Sequence, residues 1–290
     1  MYKILEDEAF TRDFEGRKHY QYGVERVNLS SWEDFHKVVK IFNGYTDYIW
    51  RGQRCYPEKL ENTETWKLRS TFDRDYDGKI KLNEILDNFK EKLKYLPNIH
   101  NIDFSKEYEV WAIGQHYGLP TPLLDWTKIP YFAAYFAFYK KRGKKQTRDR
   151  VVYALNRVVQ RLMLIEKDPI TKEELSRQRR IDFDFDTSHF APEHHQRLIV
   201  QKGAFTKTIN CEDIKSVVQK FWKRDDKNKK NYKNKVLLAE ILIPDKFHDE
   251  CLSSLKSMNI THGTLFPDDA GAVEICKIEL DLDNLKYRRI

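Results

Sequence analysis

Residues 111–127 read WAIGQHYGLPTPLLDWT, and the architecture follows from how this stretch is parsed. Ser105 is placed to cap a helix ahead of it, with Glu107 and Glu109 in the first turns, where acids suit the positive end of the helix dipole. Gly118 is placed to end that helix, and Pro120 prevents its continuation. On the helix Glu109 and His116 stand at i and i+7 and share one face, while Trp111 and Gln115 share a neighbouring stripe. Leu123 to Trp126 then reads as a short strand, and Pro130 opens an apolar helix running to Tyr139.

Upstream, Ser30 or Ser31 caps a helix from Asp34 to Ile41 that Asn43-Gly44 ends. Tyr48 to Trp50 reads as a buried strand that delivers Arg51, Gly52 and Gln53 at its end. A Lys/Leu-rich helix from Leu82 to Leu96 stops at Pro97. Downstream, Val151–Leu155, Leu198–Val200, Ala204–Ile209 and Val236–Ile243 read as strands, with helices near Thr171–Arg180, Asp213–Trp222 and Asp245–Met258. Strands and helices do not alternate regularly, so the class is α+β, a mixed or antiparallel sheet decorated with helices. The informative segments span the chain, which favours a single domain over residues 1–290 with a helical amino-terminal segment, 1–45.

The chain has 290 residues, 13% of them aromatic, enough to supply a sizeable core. The apolar run from Ile129 to Tyr139 is well short of the ~20 residues a membrane-spanning helix needs. The first ten residues carry acids and lack an apolar centre, so no secretory signal is expected there. Cys55, Cys211, Cys251 and Cys276 are scattered without metal-ligand or redox spacing, so thiols in a reducing cytoplasm are expected and zinc is not. The formal charge is +7, and much of the excess lies in Lys140–Arg150 and Lys223–Lys235. Both runs lack apolar periodicity. They read either as mobile solvated loops or as a contact surface for nucleic acid or nucleotide phosphates.

Two signals together resemble the FRG domain family. One is Trp50-Arg51-Gly52, close to the Phe-Arg-Gly signature; the other is the block from Gln115 to Thr127, close to Gln-His-x-Gly-x-Pro-Thr-Arg-Leu-Leu-Asp-Trp-Thr. Arg197 to Thr206 and Leu265 to Gly271 also look like the family, which extends the resemblance over residues 48–271. Trp50 keeps the aromatic character of the Phe. Pro122 stands where the family has Arg, so a phosphate held by that Arg would need another base here. Arg51 at a strand end, the strand reaching Thr127, and Pro130, Ala133, Phe136 and Ala137 beyond it also look like the arrangement of ADP-ribosyltransferases. The catalytic Glu of those enzymes would fall near Gln196 or Arg197, neither an acid, so Glu193, Glu109 or Asp125 would have to supply the carboxylate.

Each candidate residue carries two readings. Arg51 suits bidentate recognition of phosphate, with Gly52 allowing close approach, or it pairs with an acid such as Asp125 to lock the fold. His116 is a general acid or base, or a core histidine at a helix end. Asp125, set between Leu124 and Trp126, must be paired or face a ligand. Gln115 fixes His116 or a base edge, or caps the turn. Thr127 binds ligand, or caps the Pro130 helix. Gln201 and Gly203 interrupt an apparent strand, as at a bulge or a ligand contact. Glu193-His194-His195 would point alternately on a strand, a poor metal pair. Asp268 or Asp269 caps a helix, or acts in catalysis.

The resemblance therefore implies an enzyme of ADP-ribosyltransferase or NAD glycohydrolase type, with NAD as substrate and a protein or nucleic-acid acceptor, in bacterial or phage conflict. Its catalytic candidates are His116, Asp125 and Glu109, and its ligand contacts are Arg51, Gly52, Gln53, Gln115, Thr127 and Gln201. The alternatives are a non-catalytic module that binds nucleotide or nucleic acid, and a buried polar network that only specifies the core.

Overall fold

A computed structural model describes residues 19–21, 23–43, 48–56, 66–76, 81–95, 102–140, 149–157, 181–184, 192–208, 212–224, 236–269, 271–277 and 280. The expected helix near 171–180 and nearly all of both basic runs lie outside these residues.

The core is a mixed eight-stranded sheet, and the fold is α+β. In chain order its strands are β1 (His19–Gln21), β2 (Val24–Asn28), β3 (Tyr48–Gln53), β4 (Leu123–Thr127), β5 (Arg150–Asn156), β6 (Ile181–Asp184), β7 (Gly203–Thr208) and β8 (Leu238–Ile243). They lie side by side in the order β1-β2-β8-β5-β3-β4-β7-β6. The pairing of β2 with β8 is parallel and the other pairings are antiparallel. The amino-terminal segment expected to be helical thus supplies two strands before its helix.

The helices are α1 (Trp32–Asn43), α2 (Thr71–Tyr76), α3 (Leu82–Leu93), α4 (Glu107–His116), α5 (Pro130–Phe138), α6 (Pro192–Val200), α7 (Ile214–Arg224), α8 (His248–Ser257) and α9 (His262–Leu265). Ser31 caps α1, its Oγ accepting from the Asp34 N–H while Asp34 accepts from the Ser31 N–H. Ser105 does not cap α4. Its hydroxyl donates to Asp103, and Lys106 holds the cap position without a side-chain bond. Gly118, at φ +90°, ends α4 in the left-handed conformation. The Leu119 N–H reaches the Gly114 oxygen and the Gly118 N–H the Gln115 oxygen, which closes a Schellman motif.

One face of the sheet carries α1, α5 and α8 packed on Tyr48, Trp50, Val152, Ala154 and Ile241. On that face α3 and α4 cover the far half through Leu123 and Phe205. The opposite face is sealed by α7 against Leu124, Trp126, Tyr153 and Leu238. Two antiparallel registers and one parallel register align Arg26, Glu240, Tyr153 and Arg51 across four strands. Glu240, 1% exposed, accepts from the Tyr56 hydroxyl at 2.9 Å and faces Lys215 Nζ at 2.9 Å. Glu240 with Tyr56 and Lys215 forms a structural network, and Arg51, at the end of the same row, also belongs to the site described next.

The decisive local feature is that β3 and β4 share a single bridging pair, Trp50 with Thr127. Beyond it the two strands separate, with α5 packed on β3 and reaching β4, and α4 packed on β4.

Candidate functional site

A cavity of about 400 Å³ opens at this parting of the strands. Strand β3 contributes Trp50, Arg51 and Gly52. Strand β4 contributes Asp125, Trp126 and Thr127, and α4 contributes Ala112, Gln115 and His116. Its aromatic wall is made by Phe136, Tyr139 and Phe266, and its remaining wall by His195, Arg197, Leu198 and Gln201 of α6 and the turn after it.

Arg51 spans the gap between the strands. Its Nη1 donates to the main-chain oxygen of Asp125 at 2.7 Å, while Nε is buried and has no partner among the described residues. Burial pulls the guanidinium below its ordinary value, with Asp125 opposing and Arg74 adding to the effect. It nonetheless stays charged at neutral pH. Arg51 therefore does not pair with the Asp125 carboxylate. That carboxylate accepts from Gln115 Nε2 at 2.5 Å, and Gln115 Oε1 in turn accepts from the Thr121 hydroxyl. The Asp125 side chain meets solvent inside the cavity yet is enclosed by protein. Burial lifts its carboxyl above the usual range against the pull of Arg51 and Gln115.

Gly52 borders the cavity, but its missing side chain has a different cause from the ligand approach expected. A Cβ there would collide with the carbonyl oxygen of Ala133 in α5. The glycine lets the helix backbone lie directly on β3. Gln53 is 5% exposed and does not border the cavity; it shares the face of Arg51 but lies two residues further along β3, opposite Val151 of β5. Glu109 also stands away from it. It shares a face of α4 with His116, yet it is 1% exposed while His116 is open to solvent. The face is common, but the helix emerges from the core along its length.

Thr127 caps no helix. Its hydroxyl donates to the Gln201 oxygen at 2.7 Å and accepts from the Ile129 N–H, so it ties β4 to the turn after α6. Residues 198–200, expected as a strand, are the last turn of α6. The backbone departs from helical geometry at His195, and Lys202 takes φ +49° in the turn. Gln201 consequently sits in a helix-to-strand turn, with Nε2 donating to the Leu265 oxygen at 2.9 Å. A Cβ on Gly203 would collide with Leu198, which accounts for that glycine through packing.

Arg197 and His195 are cavity residues that the sequence did not single out as functional. Arg197 donates from Nε and Nη2 to the two carboxylate oxygens of Asp268 at 2.9 and 2.8 Å and lies 5.0 Å over the Phe266 ring. Asp268 also caps the helical run at 271–277 by accepting from the Gly271 N–H. Arg197, through its hydrogen bond, holds the Asp268 carboxyl below the usual range. Burial, together with Arg197, pulls His116 below its ordinary value, and Asp268 opposes. Pro122 is buried and does not border the cavity, so the Arg it replaces would not enter this site directly.

Residues 46–148 match the family model of the FRG domain. The chain carries an FRG domain. The match holds Arg51, Gln115, His116, Asp125 and Thr127, and it ends before His195, Arg197, Gln201 and Asp268, which complete the cavity. The FRG tripeptide position thus pairs a helix-packing glycine with an arginine that bridges the parted strands. No curated protein and no solved structure matches the chain. Among the described residues no cluster of side chains could hold a metal ion, and no helix is long and apolar enough to cross a membrane.

Proposed function

We propose that the cavity is a nucleotide site and that its substrate is NAD, acted on in the manner of an ADP-ribosyltransferase or NAD glycohydrolase. The observation that carries this reading is Arg51. One of its donors is spent on Asp125, Nε has no partner among the described residues, and the residue borders a concave space. A phosphate oxygen is the natural acceptor for a fixed guanidinium. Across the cavity, Phe136, Tyr139 and Phe266 supply an aromatic wall against which a planar base can pack.

In this reading Asp125 faces the ribose. The bond between C1′ and the nicotinamide nitrogen breaks, and its electron pair leaves with nicotinamide. Asp125 stabilises the positive charge that develops on the sugar. It then takes the proton of the attacking water, or of an acceptor hydroxyl, as oxygen bonds to C1′. The setting implied is an effector of bacterial or phage conflict, acting on a protein or nucleic acid.

A specific observation also supports a binding module. Arg197, near which an ADP-ribosyltransferase would carry its acid, is locked to Asp268. Incubation with NAD, with nicotinamide resolved chromatographically and binding followed by calorimetry, separates the readings. The enzyme releases nicotinamide, and Asp125→Asn stops release while retaining binding. Saturable binding without release supports the module, and no binding overturns both.

A further inference from the structure

We propose that His195 is the proton-exchanging group of the cavity and that Glu109, behind it, is its positioning residue. The proposal rests on the cavity being the ligand site and adds a residue to it. His195 borders the cavity and is 3% exposed. Glu109, 1% exposed, approaches it from α4, with Oε1 at 4.0 Å from His195 Nε2.

Local structure explains how the two meet. Helix α6 leaves helical geometry at His195, at φ −129° and ψ 21°. The helix is kinked at this residue. Helix α4 packs against α6, and the buried end of α4 carries Glu109 among Val110, Trp111 and Ile113. A carboxylate taken into such surroundings is costly unless a partner stabilises it. An imidazole that gains a proton is such a partner, and a carboxylate behind an imidazole fixes its orientation and raises its basicity.

The other titratable groups on elements packed against α6 are Glu107, Tyr108 and His116 on α4, Lys207 on β7 and His262 on α9. Asp125, Arg51 and Arg197 share the cavity with His195. Asp125 takes the proton released as the nucleophile's oxygen bonds to C1′, and His195, in the same cavity, can receive that proton and pass it to solvent. The cavity then holds two proton-accepting groups on different elements, β4 and α6.

The test follows the imidazole directly. Histidine is isotopically labelled, the His195 resonance is assigned with His195→Gln, and its titration is followed by NMR in the parent and in Glu109→Gln. The expected result is a titrating His195 whose midpoint falls by a unit or more in Glu109→Gln, roughly a tenfold change in proton affinity. An unchanged midpoint in a folded Glu109→Gln protein, or a His195 that does not titrate, overturns the proposal. Adding NAD to the parent then reads the nucleotide proposal separately. If nicotinamide is released, His195→Gln lowers kcat with little change in KM and removes one limb of the pH profile. A retained profile counts against His195. If NAD fails to bind while His195 and Glu109 remain coupled, the nucleotide reading fails and the proton couple stands.

Discussion

Arg51 Nη1 donates to the main-chain oxygen of Asp125 at 2.7 Å, just past the single pair, Trp50 and Thr127, that joins β3 to β4. The side chain supplies across the gap a bond that the backbone ladder no longer makes. The opening in the sheet is therefore stabilised by the same group that faces the cavity. Structural and ligand-binding roles meet in one guanidinium, and substitutions at Arg51 should separate them.

Arg51→Ala is expected to lose a charged hydrogen bond, worth about 1.5–3 kcal/mol, in stability and a comparable amount in nucleotide affinity. Arg51→Lys keeps the charge but not the fork, so it should retain more stability than affinity. Denaturant titration and calorimetry measure the two independently. Equal nucleotide affinity for the parent and a folded Arg51→Lys would separate Arg51 from the ligand.

Gly52→Ala tests why the FRG glycine is a glycine. The added methyl meets the Ala133 carbonyl oxygen in α5, and overpacking of this kind costs about 1–3 kcal/mol, or more where backbone must move. Urea unfolding should show a lower midpoint even without ligand. An unchanged midpoint would return Gly52 to the role of making room for a ligand.

Arg197 and Asp268 give a pH signature. The Asp268 carboxyl is held below its ordinary value of 3.8, so the folded state favours its charged form. The resulting stability is fully present above the unfolded value and is lost as pH falls through the folded value. Asp268→Asn should lower the melting temperature at neutral pH, and the difference from the parent should shrink on acidification below about pH 4. A constant difference from pH 7 to pH 3 would mean that the pair contributes nothing through its charge.

Pro122→Arg addresses the departure from the family pattern. Restoring a guanidinium beside Asp125 is expected from sequence to tighten phosphate binding, yet Pro122 is buried away from the cavity. The variant should lose stability, because a long cation must enter a packed position. Its nucleotide affinity should stay within about threefold of the parent in calorimetry. A gain of tenfold or more, about 1.4 kcal/mol, would show that position 122 reaches the ligand.

The sequence made some of this legible and hid the rest for identifiable reasons. Gly118 and Pro120 mark the end of α4 because left-handed backbone and a missing N–H are local requirements. The run LLDWT reads as a strand, and its polar third position marks a change of surroundings. Leu198–Val200 is misleading because a short apolar, β-branched run suits a strand or a buried helical turn equally, and contacts with α4 and β7 decide it. Gly52 and Gly203 signal close approach, but only tertiary structure reveals that the approaching groups are Ala133 and Leu198. Periodicity puts Glu109 with His116 on one face, although it carries no information on where α4 leaves the core. The parting of β3 from β4, which creates the cavity, has no local signature.

The most direct test of the central claim is a crystal structure of the protein soaked with ADP-ribose. A phosphate oxygen is expected within hydrogen-bond distance of the Arg51 guanidinium, and the adenine against Phe136, Tyr139 or Phe266, with Asp125 facing the ribose. ADP-ribose bound at another surface, or an Arg51 guanidinium that touches no part of the ligand, would contradict it.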